Sequence, residues 1–225
     1  MRQTETICCF IPARGGSKSI PRKNIKLLGG KPLISYSIES ALKCGLRPIV
    51  NTDDLEIAKV AREYGAGVQM RLSDLGQDGT SMFELLKSEI FKLNPVPEIV
   101  LLLQPTTPFR ISHEIESAIN LLELYDSAVS VEEVPEKWNP AQVFVGGKMA
   151  DGRPIKDRIT RRQDFPKAYT PTGSIYAFKA SNLLYGSIYG NEVGLLITES
   201  KININTIEDW NLCEEELKNI CLKQR

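Results

Sequence analysis

Arg14, Lys18, Arg22 and Lys23 place four cations within ten residues, around a Gly15-Gly16 turn and just after a short apolar run, Ile7–Pro12. Glycines let backbone N–H groups approach anionic oxygens closely. Arginine offers phosphate a bidentate fork and lysine a mobile point charge. Ser17 and Ser19 add hydroxyl donors. The chemistry this suits is the holding of a polyphosphate. The stretch is not a Walker A loop, which needs a second glycine followed by Lys-Ser/Thr, and the chain has no G-x-G-x-x-G here. Taken alone, a Gly-Gly turn with nearby cations reads equally as a basic surface turn. Its place after the first strand of an alternating α/β chain favours phosphate binding.

A second polar group stands out at the end of an apolar strand. Ile99–Leu103 is wholly apolar, and Gln104 follows it directly, before Pro105-Thr106-Thr107-Pro108. In open α/β sheets, ligands bind beyond the carboxyl ends of the strands. Gln104 therefore sits where a ligand contact is expected, although an ordinary strand cap has the same appearance.

The elements that must position these groups alternate. Strands are predicted at Ile7–Pro12, Pro48–Thr52, Gly67–Met70 (a weak one), Ile99–Leu103, 128–131, 174–178 and 195–197. Helices are predicted at 32–44, 54–64, 81–93, 112–124 and 206–222. In the first, Leu33, Ile34, Ile38, Ala41 and Leu42 share a face and Pro32 suits the first turn; in the last, Thr206 with Asp209 three residues on forms a capping-box-like start. Such alternation predicts an α/β fold, a mostly parallel, doubly wound sheet in one domain over 1–225. The pattern breaks at 135–171, rich in Pro, Gly, Lys and Arg, which reads as an insertion with its own task.

Composition narrows the partners. The 225 residues are 42% hydrophobic and 25% charged, with zero formal net charge, which gives no global attraction to nucleic acid. No apolar run approaches a bilayer span, and the polar residues 1–5 lead into a run too short for a signal peptide, so a cytoplasmic protein without membrane partners is expected. The five cysteines, Cys8, Cys9, Cys44, Cys213 and Cys221, form no CxxC pair. With His113 the only histidine, a Cys/His zinc site or a Ser-His-Asp triad is disfavoured.

The stretch from Ala13 to Asn24, A-R-G-G-S-K-S-I-P-R-K-N, resembles the signature of the acylneuraminate cytidylyltransferases, the CMP-sialic acid and CMP-nonulosonic acid synthetases. Ser19 stands where the family usually has glycine, a substitution that would be strained at positive φ. Further matches are Lys31-Pro32-Leu33-Ile34, Thr52-Asp53-Asp54, Arg71, the D-x-x-S segment from Asp78 to Ser81, Leu103 to Arg110, Arg162-Gln163 and Gly173-Ser174-Ile175-Tyr176. The resemblance implies a Rossmann-like nucleotide-diphospho-sugar transferase fold and the reaction of CTP with an acidic 2-keto sugar to give CMP-sugar and pyrophosphate. It implies that Arg14, Lys18 and Lys23 are catalytic. Ala13, Gly15, Gly16, Ser17 and Asn24 would hold the triphosphate, and Arg71, Ser81 and Gln104 the cytidine side. Gln104, Thr106, Arg162, Gln163, Thr172 and Tyr176 would meet the acceptor. The 135–171 insertion would be a dimerisation arm of a homodimer.

Three departures bear on the acceptor side. The family's D-I-D, which binds Mg²⁺, appears as Asn203-Ile204-Asn205, so Mg²⁺ would have neutral ligands there, with Asp53 and Asp209 as other candidates. R-P-N-G appears as Thr170-Pro171-Thr172-Gly173, and H-P-x-K as Asn139-Pro140-Ala141-Gln142; each lacks a cation. An altered acceptor, such as octulosonate or a phosphonate, and a non-catalytic nucleotide-binding chain both remain open at this point.

Overall fold

The computed structural model describes residues 6–72, 79–146 and 148–223; the polar stretch 1–5 and Asp78 lie outside the described residues. In chain order the strands are β1 (Ile7–Pro12), β2 (Leu27–Leu28), β3 (Lys31–Pro32), β4 (Pro48–Thr52), β5 (Gly67–Met70), β6 (Ile99–Leu103), β7 (Ser127–Glu133), β8 (Phe144–Val145), β9 (Lys148–Met149), β10 (Tyr169–Lys179) and β11 (Val193–Ile197). The helices are α1 (Leu33–Lys43), α2 (Leu55–Glu63), α3 (Met82–Ile90), α4 (Ser112–Leu121) and α5 (Ile207–Lys223).

Seven strands form the main sheet in the order β11-β7-β10-β6-β1-β4-β5. β1 pairs in parallel with β4 and β6, β4 with β5, and β7 with β11. Only β10 runs antiparallel to its neighbours, β6 and β7. The carboxyl ends of β1, β4, β5 and β6 therefore open on one edge.

Alternation along the strands divides the core. Cys9, Ile11, Leu101 and Leu103 point to one face, where Ile34 and Ile38 of α1, Ile57 of α2 and Ile115 of α4 cover them. Cys8, Phe10, Val100 and Leu102 point to the other, under Leu86 and Ile90 of α3. Full burial of each such side chain contributes roughly 1.5–3 kcal/mol, which is why apolar periodicity of two and of 3.6 locates these elements. A third cluster, Ile20, Leu28, Leu33, Ile204, Trp210 and Cys213, packs α5 beside the first loop.

Helix starts follow local chemistry. Asp54 accepts from the N–H groups of Glu56 and Ile57, both at 2.9 Å, and opens α2. Ser81 and Glu84 form a reciprocal capping box on α3. Thr206 and Asp209 do the same for α5, Asp209 accepting from the Thr206 N–H at 2.8 Å and donating its own N–H to Thr206 Oγ1 at 3.2 Å.

Several boundaries differ from the sequence reading: α3 ends at Ile90 rather than at 93, α4 at Leu121 rather than at 124, and β11 begins at Val193 rather than at 195, while the two that reshape the sheet are those of β7 and β10. β10 begins at Tyr169 rather than at 174, and β7 runs to Glu133 rather than to 131. Tyr169, Thr170 and Pro171 pair with Glu133, Glu132 and Val131, and the register shifts before Tyr176. Gly173, at φ 74, makes that irregularity possible. Proline and glycine together read as a loop in sequence, and only pairing with β7 makes this stretch strand. The segment read as an insertion thus ends inside the sheet. Its remainder carries the β8–β9 hairpin and short helical turns, with Asn139 buried and donating from Nδ2 to the Pro166 carbonyl at 2.8 Å.

Candidate nucleotide-binding site

A pocket of about 530 Å³ opens at the carboxyl edge of β1, β5 and β6. Its described lining holds four cations, Arg14, Lys18, Lys23 and Arg71, and no carboxylate. Ser17, Ser19, Asn24, Ser81, Gln104 and Thr106 supply polar contacts, while Pro12, Met82, Leu85 and Pro105 supply apolar wall. Such a lining suits a polyanion with one flat, partly apolar end. His113 is exposed on α4 and takes no part in the lining.

The first loop is held by its own residues. The Ala13 N–H donates to the Asn51 carbonyl at 2.9 Å, carrying the β1–β4 ladder one step past the strand. Asn24 is buried and donates from Nδ2 to the Arg14 carbonyl at 2.9 Å, closing the loop on itself. The Gly15 N–H donates to Asp53 Oδ1 at 3.1 Å, and a Cβ on Gly15 would lie 2.6 Å from Asp54 Oδ2. Gly15 is therefore glycine because the loop packs against the end of β4. Gly16 has open space at the same position. Ala13, Gly15 and Gly16 shape the loop but do not line the pocket. Ser19 lines it without backbone strain, since Arg22 is the non-glycine residue at positive φ among those described.

Arg22 departs from its grouping in the sequence. It turns away from the pocket and pairs with Asp54 and Glu56 at the start of α2. Its hydrogen bond to Asp54 is the main reason that carboxyl is held below the usual range. Arg71 completes the cationic wall instead. It follows β5, its side chain is buried, and Nη1 donates to Asn51 Oδ1 at 3.0 Å, while Nη2 lies 3.6 Å from Asp53 Oδ1. Burial lowers the Arg71 pKa, and the facing Asp53 and Glu89 oppose that shift. Lys23 donates from Nζ to the Ile204 carbonyl at 2.9 Å. Burial, then the nearby Arg14, lowers its pKa, with Asp209 acting the other way. Both shifts have desolvation as their first cause, the penalty for keeping a cation in a partly buried site.

The far wall is the segment 201–206. Lys201 makes a buried ion pair with Glu114 at 3.0 Å, and the Ile204 N–H donates to the Thr106 carbonyl at 2.8 Å. Asn203 and Asn205 line the pocket, and Asn203 Oδ1 is buried without a hydrogen-bond partner. Asn203 Nδ2 lies over Gly173, where a Cβ would come within 2.7 Å of it. The other metal candidates are engaged: Asp53 takes the Gly15 N–H and faces Arg71, and Asp209 accepts the N–H groups of Asn205 and Thr206, which depress its pKa. No group of three or more His, Cys, Asp or Glu suited to a metal occurs among the described residues. The orphaned Asn203 oxygen fits a hard cation, but as a neutral ligand to an ion whose charge the nucleotide balances.

Several acceptor-side residues lie elsewhere in the chain. Thr172 is buried and shares a hydrogen bond with Ser130 at 2.7 Å. Tyr176 packs on the α3 face of the sheet, and burial raises its pKa. Arg162 and Gln163 are exposed on the arm, Arg162 lying 3.9 Å from Glu136. None of these four lines the pocket. Conversely, no role was assigned from sequence to Arg110, the last residue of the 103–110 motif, which is buried and donates to the Gln104 carbonyl at 2.9 Å, to the Ser174 carbonyl at 2.8 and 2.9 Å, and to Thr107 Oγ1 at 3.1 Å. Desolvation brings its pKa to about 10, leaving it charged at neutral pH, where it clamps the end of β6 to β10. An arginine closing an apolar strand motif was the available signal.

Comparison with known proteins agrees with this geometry. Residues 8–206 match the family model described as cytidylyltransferase. The chain is 35% identical over 222 residues to the CMP-N,N'-diacetyllegionaminic acid synthase of Legionella pneumophila, covering 93% of this chain and 95% of that protein. It is 31% identical over 221 residues to the N-acylneuraminate cytidylyltransferase of Escherichia coli, covering 92% of this chain but about half, 51%, of the longer relative. Among solved structures, a CMP:2-keto-3-deoxy-manno-octonic acid synthetase complexed with CTP superposes with a TM-score of 0.72 at 18% identity, over 98% of this chain and 100% of that one. A 4-diphosphocytidyl-2C-methyl-D-erythritol synthase from Anaerococcus prevotii gives 0.65 at 15% identity, over 95% and 99%. The mostly parallel sheet, the cationic pocket at its carboxyl edge and these matches together place the chain in the cytidylyltransferase family of nucleotidyltransferases.

Proposed function

We propose that the chain transfers CMP from CTP to an acidic 2-keto sugar, a sialic acid or another nonulosonic acid, releasing pyrophosphate. The observation that carries this is the pocket wall of Arg14, Lys18, Lys23 and Arg71 with no opposing carboxylate among its described residues. The names of the Legionella and E. coli relatives favour an acidic sugar as acceptor.

In this reading the triphosphate lies along Arg14, Ser17 and Lys18, with Lys23 beyond it. The anomeric hydroxyl of the sugar attacks the α-phosphorus, its O–P bond forms as the bond to pyrophosphate breaks, and the hydroxyl proton passes to solvent. Lys18 stabilises negative charge on the transferred phosphate; Arg14 and Lys23 balance the departing pyrophosphate. Arg71, Ser81 and Gln104 hold the cytidine, whose N4 donor and O2 and N3 acceptors suit amide and guanidinium groups. Mg²⁺, when bound, would take carbonyl oxygens of Asn203 and Asn205 and phosphate oxygens, and would neutralise phosphate charge. Arg162 and Gln163, remote from this pocket, would serve a neighbouring subunit's acceptor end in a homodimer built through the arm. The reading includes a cytoplasmic location.

The test is pyrophosphate release from CTP and Mg²⁺ with a panel of 2-keto acids. Release with a nonulosonic acid supports the reading. Release only with octulosonate or a phosphonate would move the acceptor class. Saturable CTP binding with no turnover on any acceptor would favour a non-catalytic role, the reading that the neutral Asn203 and Asn205 motivate.

A further inference from the structure

A polar chain runs from α3 through the sheet to the pocket wall. Glu89, on α3, is 1% exposed and does not line the pocket. Its Oε2 accepts from Asn51 Nδ2 at 3.1 Å. Asn51, wholly buried on β4, in turn accepts at Oδ1 from Nη1 of Arg71 at 3.0 Å. Gln69 on the adjacent strand flanks both: its Oε1 accepts from Asn51 Nδ2 at 3.1 Å, and its Nε2 donates to the Glu89 carbonyl at 3.1 Å. Lys92 meets the other oxygen of Glu89, Oε1, at 2.6 Å from the solvent side.

Burying a carboxylate is costly, and it persists where its partners need it. An ionised carboxylate only accepts hydrogen bonds, whereas an asparagine amide has a donor end and an acceptor end. Glu89 therefore dictates which end of Asn51 faces it. The amide nitrogen turns to Glu89, and the amide oxygen is left facing Arg71. A neighbour able to donate would weaken that preference, leaving Gln69 Oε1 as the remaining acceptor, and would admit the flipped amide, which presents N–H groups to a guanidinium that has only donors. Asp53, 3.6 Å from Nη2, holds the other arm of the fork.

We propose that Glu89, acting through Asn51, is a positioning residue for Arg71, fixing its guanidinium at the nucleoside end of the pocket and so setting the affinity for CTP. The proposal rests on Arg71 contacting the nucleotide. Glu89 touches no substrate, so its effect is on binding and not on the chemical step.

The test uses CTP titration of the intact chain, with steady-state kinetics and melting curves alongside. Glu89→Gln keeps the shape but can present an NH₂ to Asn51, which removes the enforced polarity. It is expected to weaken CTP binding about fivefold, with kcat at saturating CTP within about twofold. Exchanging the two functions, in Asn51→Asp with Glu89→Gln, puts an acceptor back before Arg71 and should recover affinity to within about twofold of the parent. A merely structural role predicts a lowered melting midpoint with unchanged CTP affinity, and no rescue. In an Arg71→Ala background the Glu89→Gln cost should vanish; an undiminished cost overturns the proposal. Arg71→Ala that weakens CTP while Glu89→Gln does not overturns the relay alone. Arg71→Ala with unaltered CTP affinity overturns the nucleotide contact beneath it, and the relay with it.

Discussion

The two ends of the pocket are built on different principles. At the end the proposed reading gives to the triphosphate, cations project from a loop pinned to the sheet, with Ala13 on Asn51, Asn24 on Arg14 and Gly15 on Asp53. At the other end, which the proposed reading gives to Mg²⁺ and the acceptor, the lining is neutral: Asn203, Asn205 and Thr106, backed by the buried Lys201–Glu114 pair. Thr172 is absorbed into the sheet, and Arg162 and Gln163 stand on an exposed arm. In the proposed reading, charge is fixed where the triphosphate binds. In the same reading, neutral hydrogen bonding lines the acceptor end, and the acceptor-side cation Arg162 stands on a separate segment. Preorganised charge costs no reorganisation during the reaction, which favours a rigid mount on the sheet edge.

This contrast breaks most decisively at Lys18. Lys18→Ala is expected to lower turnover about tenfold or more, because one charge-assisted phosphate contact can exceed about 1.4 kcal/mol. Near-normal turnover would detach Lys18 from the triphosphate end. Next is Gly15→Ala, whose Cβ would meet Asp54 Oδ2 at 2.6 Å. Overpacking of this kind costs about 1–3 kcal/mol, read as a lowered melting midpoint together with weaker CTP binding. An unchanged midpoint would mean that the loop is not pinned as described.

The acceptor end should respond more mildly. Restoring carboxylates with Asn203→Asp and Asn205→Asp is expected to lower the Mg²⁺ concentration for half-maximal activity by about threefold, and to increase Mg²⁺ binding measured by calorimetry with CTP present. Unaltered Mg²⁺ dependence would put the ion elsewhere. Arg162→Ala is expected to raise KM for the acceptor about two- to threefold and leave KM for CTP alone. The reverse pattern would place the arm at the nucleotide end.

The smallest effect is a proton. Lys23 has a folded pKa below its ordinary 10.5, so the folded chain holds this cation less firmly than the unfolded chain as pH rises. Its burial costs stability while the folded lysine is protonated; that cost shrinks as pH rises through the lowered folded pKa and is gone above 10.5. A bound polyanion favours the charged form, so CTP binding at alkaline pH should take up protons at Lys23. Calorimetry in buffers of different ionisation enthalpy would detect this, and Lys23→Met should abolish it. Proton uptake that persists in that variant would assign it to another group.

Short-range information was enough for much of this molecule. The four-cation loop after β1, the polar Gln104 after an apolar strand, the capping of α5 by Thr206 and Asp209, and the alternation that makes a mostly parallel sheet all depend on neighbours within a few residues or on periodic burial. Pairing and charge partnership across the chain did not follow from it. That Arg22 leaves the pocket for Asp54 and Glu56, that Arg71, indicated by the resemblance, is held on the pocket wall by Asn51 and Asp53, and that Pro171 and Gly173 belong to a strand were decided by elements distant in sequence. A side chain's type limits what it can bind, but its partner is whatever the packed sheet brings within about 3 Å of it, and only the folded chain sets that distance.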